Sequence, residues 1–131
     1  MKVNELTIGS IVEYFGDPAV IREISESGGC LVKCGYCNYH TSVETILPIS
    51  LSDDFLAKNF EKNVCLDGSD CYYYGDEYFD VQITPYTDGI WEVFLCPLES
   101  GGLPSWIMYV SEVHKLQQAL MVAGVNMELS A

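Results

Sequence analysis

Cys30, Cys34 and Cys37, with His40 three positions further on, are the side chains of this chain best suited to chemistry. Two thiolates separated by two residues can grip one zinc ion. His40 can add a third ligand, and Cys30, Cys65 or Cys71 a fourth. A convincing zinc site shows a second spaced pair, and Cys65 and Cys71, with five residues between them, match that pattern poorly. The wider C-x3-C-x2-C spacing, with Tyr36 before the last cysteine, is also that of three thiolates around a four-iron cluster with one iron left free.

That iron spacing is used by radical S-adenosylmethionine enzymes, which need repeated strand–helix units around the cluster and its cofactor. A chain of 131 residues with two helical segments is too short for that frame. Ordinary reduced cysteines on a strand and turn are therefore the expectation, with zinc at Cys34, Cys37 and His40 as the alternative. A Cys–His nucleophile from Cys34 or Cys37 and His40 lacks a recognisable orienting acid or oxyanion site. The other histidine, His114, falls in the first turn of the last helix, where a solvated or helix-boundary role is expected. Asp67-Gly68-Ser69-Asp70, with Asp76, Glu77 and Asp80, lacks the alternating ligands and closing Glu of a calcium loop, so turns and solvation explain it. Gly28-Gly29 and Gly101-Gly102 lack the Lys-Ser/Thr of a phosphate loop. No catalytic or cofactor-binding residue is assigned.

Nineteen acidic residues against six basic ones give a net charge of −13. Phosphate contacts work through clustered Lys and Arg, and this chain has no such cluster, so direct nucleic-acid binding is not expected. Acidity then means solubility, or a surface that imitates nucleic acid in a partner's basic groove. The opening residues Met1 to Leu6 lack the basic start and the apolar stretch of about 7–15 residues of a secretory signal. The longest apolar runs, such as Val93 to Cys96, fall far short of the roughly 20 residues that span a bilayer. The expected compartment is the cytoplasm, with reduced thiols and no membrane partner.

The elements that must position these residues follow from period and punctuation. Ile11 to Phe15, Val20 to Ile24 and Cys30 to Lys33 read as short strands, broken at Gly16-Asp17-Pro18, Ser27-Gly28-Gly29 and Gly35. Tyr39 to Leu47 alternates more loosely. Short strands with tight turns predict a β-rich lobe over 1–50, a strongly bent sheet or SH3-like partial barrel. Residues 51–131 predict an α+β lobe. Its first helix spans about 52–62, with Ser52 as N-cap, Asp53 and Asp54 in the first turn and Lys58 and Lys62 towards the end. Strands follow over about 71–96, including a hairpin turned at Asp88-Gly89 and loosened by Pro85. Tyr72-Tyr73-Tyr74 and Tyr78 fit alternating core and edge packing, with an aromatic binding patch as the other reading. Gly101 to Pro104 reads as a loop. Ser111 is expected to cap a last helix over about 111–124, with Val113, Leu116, Leu120 and Ala123 as its buried stripe.

Three stretches in register carry a resemblance. Met1-Lys2-Val3-Asn4-Glu5-Leu6-Thr7-Ile8-Gly9, Pro48-Ile49-Ser50-Leu51-Ser52-Asp53-Asp54 and Val113-His114-Lys115-Leu116-Gln117 follow the patterns M-K-x-N-E-L-x-I-G, P-I-x-L-[ST]-[DE]-[DE] and V-H-x-L-Q. In this the chain resembles a group of short uncharacterised proteins of gut Bacteroidetes and their mobile elements. The resemblance implies a lineage and a fold, not a reaction. Its pattern includes no cysteine cluster, and it includes the position of His114.

The reading as a whole is an α+β protein in one compact unit of two lobes. The expected function is that of a non-enzymatic accessory or interaction protein. It would act through an acidic, tyrosine-bearing surface on a protein partner, with nucleic-acid mimicry as the narrower form and zinc binding as the alternative.

Overall fold

A computed structural model of the chain describes residues 1–65, 67–98 and 106–131. The expected loop at Gly101 to Pro104 lies outside the described residues. The protein is mixed α+β, with two α-helices and ten strands in two antiparallel sheets among the described residues. It divides into one unit of residues 1–50, 112–118 and Ala131, and another of 51–111 and 119–130. The last helix is thus shared between the units, where the sequence reading assigned it wholly to the second lobe.

In the first unit, β1 (Ile11–Tyr14), β2 (Asp17–Ile24), β3 (Gly29–Cys34) and β4 (Cys37–Ser42) form a meander. After a 3-10 turn at Val43–Thr45, β5 (Ile46–Leu47) returns to pair with β1, giving the order β4-β3-β2-β1-β5. Alternating residues Val12, Ala19, Ile21, Cys30, Val32 and Ile46 point inward and build the core with Leu6 and Val43. The sheet is curled into a half-barrel. Tyr14 of β1 and Tyr39 of β4 have ring centroids 5.5 Å apart although two strands separate them. In a flat sheet three strand spacings would hold those strands about 14 Å apart.

The first hairpin turns at Phe15-Gly16, with φ of 48° and 86°. Two successive positive φ values make a type I′ turn, whose twist matches that of the strands. The expected turn at Gly16-Asp17-Pro18 is therefore displaced. Asp17 and Pro18 belong to β2, because a residue before proline is held extended. Phe15 bears the strain of the left-handed region and is largely exposed. Phe15→Asn should raise stability by about 0.5–1 kcal/mol in urea unfolding. A loss instead would mean that the edge-on contact of Phe15 with Tyr14, at 4.7 Å, outweighs the backbone gain.

The second unit starts with α1 (Asp53–Asn59), followed by β6 (Glu61–Val64), β7 (Asp70–Gly75), β8 (Phe79–Thr87), β9 (Ile90–Pro97) and β10 (Trp106–Val110), in the order β10-β9-β8-β7-β6. Ser52 caps α1 as expected, its Oγ accepting the Phe55 N–H at 3.2 Å. The helix ends three residues before the predicted Lys62. Phe60 turns extended and is buried, and Glu61–Val64 pairs with β7 instead, which satisfies the backbone as well as a further helical turn would. Lys62 thereby loses its place at a helix end and forms an ion pair with Asp70 at 3.2 Å. The hairpin of β8 and β9 turns at Asp88-Gly89, and its register shifts between Pro85 and Thr87, as the proline suggested. Strand β10 was not expected. It pairs with β9 from Trp106 opposite Leu95 to Val110 opposite Trp91.

The last helix, α2 (Val113–Ala123), buries Val113, Leu116, Leu120 and Ala123, the stripe read from the sequence. Ser111 does not cap it. The helix begins two residues later, and the Ser111 carbonyl accepts the Leu51 N–H at 2.9 Å. Gly124, at φ 85°, closes the helix. Its N–H bonds the Met121 carbonyl and the Val125 N–H that of Leu120, with Leu120 and Val125 both buried, which is a Schellman motif. No helix among the described residues is long and apolar enough to cross a membrane.

Candidate functional site

A groove of about 650 Å³ in the second unit gathers several carboxylates. Its lining includes Asp53, Asp70, Asp88, Tyr86, Ile90 and Trp91. These come from the start of α1, the start of β7 and the turned ends of β8 and β9. The bulge at Pro85 ends the regular pairing there, so Tyr86 and Ile90 reach solvent while Trp91 stays inside.

The floor of the groove is tied by hydrogen bonds. Trp91 Nε1–H donates to the Leu51 carbonyl at 3.2 Å, beside the Ser52 cap. The hydroxyl of buried Tyr72 donates to Asp53 Oδ1 at 2.8 Å, and burial together with that carboxylate pushes the phenol well up. Asp53 is thus held in place, and Asp70 shares Lys62. Among the described residues no Lys, Arg, His or Cys lines the groove. Next to it Tyr86 and Tyr109 stack at 4.6 Å. Carboxylates beside aromatic faces attract guanidinium and ammonium groups.

Of the residues singled out by sequence, Cys34 and Cys37 are brought together. They are direct partners across the β3–β4 hairpin, closed by Gly35-Tyr36 with Gly35 at φ 63°. His40 is not with them. Three positions beyond Cys37 on an extended strand, it projects from the opposite face and pairs with Leu31. Cys30 lies on the Cys34 face but about 13 Å along the strand, and is buried in the core. Among the described residues no group of three or more His, Cys, Asp or Glu is placed to hold a metal ion.

His114 is not solvated: it is 1% exposed, and neither ring nitrogen has a hydrogen-bond partner. Burial pushes its pKa down, against Glu112 and Glu5, with Lys115 acting the same way as burial. The acidic loops are turns, as expected. Asp76 Oδ1 accepts the N–H groups of Tyr78 and Phe79 at 2.7 Å each, and Asp67 Oδ1 accepts those of Ser69 N–H at 2.9 Å and Oγ–H at 2.6 Å. In the tyrosine run Tyr72 is core, while Tyr73 on the other face donates to Asp80 at 2.7 Å. A Cβ on Gly75 would collide with that Tyr73 hydroxyl.

No protein-family model, curated protein or solved structure matches the chain.

The groove residues were missed because each had a sufficient local role. Asp53 reads as a helix first turn, Asp88 as a hairpin turn and Asp70 as part of an acidic loop. Only their meeting makes a site, and no spacing encodes it. Gln117 was missed too. In the first unit its Oε1 accepts the Ile11 N–H at 2.7 Å and its Nε2 donates to the Gly9 carbonyl at 3.0 Å, pinning the start of β1.

Proposed function

We propose that this protein is a non-enzymatic accessory protein that binds a basic segment of a protein partner in the acidic, tyrosine-flanked groove of its second unit. The carrying observation is the groove itself, walled by Asp53, Asp70 and Asp88 with Tyr86 and Trp91 and lined by no basic side chain among the described residues. Outside it the second unit carries only Lys58 and Lys62 as basic residues, so its field favours a cationic partner. An Arg or Lys head would sit between the carboxylates, with Tyr86 offering a ring face. The strand order β4-β3-β2-β1-β5, with a 3-10 turn before β5, supports an SH3-like partial barrel for the first unit. The resemblance to proteins of mobile elements fits an accessory role, and a partner's nucleic-acid-binding groove is the narrower form of the target.

Titration with an Arg-rich peptide at low and high salt tests this reading. Asp70→Asn with Asp88→Asn keeps the shape, since Asn suits the turn before Gly89, and removes two charges. Binding should weaken roughly tenfold in the double variant and fall steeply with salt in the parent protein. Equal affinity of the two proteins, or indifference to salt, would refute the groove as the site.

A further inference from the structure

The β3–β4 hairpin of the first unit carries a different chemistry. Cys34 and Cys37 are the last paired residues before its two-residue turn. Partners directly opposite in an antiparallel pair point to the same face, with Cα atoms about 4.5–5.5 Å apart, inside the range that a disulfide bridges. Their surroundings differ. Cys34 is half-buried and its thiol donates to the Pro18 carbonyl at 3.6 Å, whereas Cys37 is exposed. The Tyr39 phenol, two residues along on the same face, is pushed above its ordinary range by the neighbouring Cys37. Exposure leaves Cys37 open to a soluble disulfide, with Cys34 directly opposite it to resolve the adduct. Three of the other thiols are poor competitors: burial pushes Cys30 and Cys96 up, and Cys71 to about 11.

We propose that Cys34 and Cys37 form a reversible dithiol–disulfide site that exchanges with small-molecule disulfides of the glutathione type. The Cys37 thiolate attacks one sulfur of the disulfide, forming a mixed disulfide and expelling one thiolate. The Cys34 thiol loses its proton to solvent and attacks the Cys37 sulfur. The ring closes as the second thiolate leaves. Two electrons pass to the small disulfide, which ends as two thiols, and the protein loses two hydrogens. A bridge with the Cys37 sulfur exposed is open to attack by a soluble thiol, hence readily reduced again.

The test uses the full chain, reduced and freed of reductant, incubated with oxidised glutathione under nitrogen and read by intact and peptide-mapped mass spectrometry. The parent protein should lose two hydrogens, with the link mapped between Cys34 and Cys37 and reopened by reduced glutathione. Cys34→Ser should retain one glutathione on Cys37, released at least roughly tenfold more slowly than from the parent. A link mapped to Cys65 and Cys71, the other close pair, would overturn the proposal, as would a mixed disulfide that persists in the parent as long as in Cys34→Ser.

Discussion

Replacing Trp91 by Ala should lower the stability of the second unit by about 3–5 kcal/mol, the usual range for losing a buried Trp. Three contributions converge on this side chain. It is 7% exposed, its ring meets Tyr72 edge-on at 5.9 Å, and its Nε1–H satisfies the Leu51 carbonyl at 3.2 Å. That carbonyl precedes the Ser52 cap, so the tie also fixes where α1 begins. Trp91→Phe separates the parts. It keeps an aromatic ring against Tyr72 but orphans the carbonyl, for a smaller loss of about 1–3 kcal/mol. Urea unfolding followed by far-ultraviolet circular dichroism should show both midpoints lowered, Ala more than Phe, with little change in slope. If Trp91→Phe matched the parent protein, the hydrogen bond would contribute nothing and the packing would carry the whole effect.

His114→Leu should act in the opposite direction and stabilise the protein. The parent imidazole sits 1% exposed with neither nitrogen partnered. An orphaned buried donor costs about 1–3 kcal/mol, and Leu fills a similar volume without one. The gain should grow in acid. Burial first, then Lys115, lowers the folded-state pKa below the ordinary 6.5, while Glu112 and Glu5 pull it back only in part. The unfolded chain therefore binds the proton at a higher pH than the folded one. This group's contribution is fully present above 6.5 and is lost as pH falls from there towards the folded value. The Leu variant has no such loss. Thermal unfolding near pH 7.5 and near pH 5.5 should show the variant ahead at both and further ahead at the lower, with a slope difference of up to about 1.4 kcal/mol per pH unit. A variant less stable than the parent at neutral pH would mean that the imidazole makes contacts Leu cannot replace.

Local signals in the chain were readable where one residue type has one physical use. Ser52 could only be a cap before Asp53 and Asp54, Gly124 could only be a left-handed stop, and the stripe from Val113 to Ala123 has no other period. Signals failed where long-range pairing decides. Glu61–Val64 continues a helical pattern on paper but gains its hydrogen bonds from β7. Trp106–Val110 has no polar–apolar alternation, and its pairing with β9 decides that it is a strand. The burial of His114 was hidden for a similar reason. Its spacing on the helix places it beside Val113, and a polar residue at that spot reads as facing water. The candidate groove was the least legible part, because its three carboxylates come from segments that local rules explain completely. The cysteine pair lay between these cases: the hairpin was visible, and its register, which sets Cys34 opposite Cys37 and His40 away, was not.

Strand β10 has one further implication for handling the molecule. Trp106, Ile107 and Tyr109 are about half exposed, and no side chain from Trp106 to Val110 is charged. Natural sheets guard such a rim with lysine, proline or a bulge against recruiting another chain. Mutual repulsion of molecules that carry a net charge of −13 at neutral pH works against such recruitment. Near the isoelectric point of about 4.2 that repulsion vanishes. Acidification therefore removes the colloidal barrier and leaves a sticky ribbon free to template fibres.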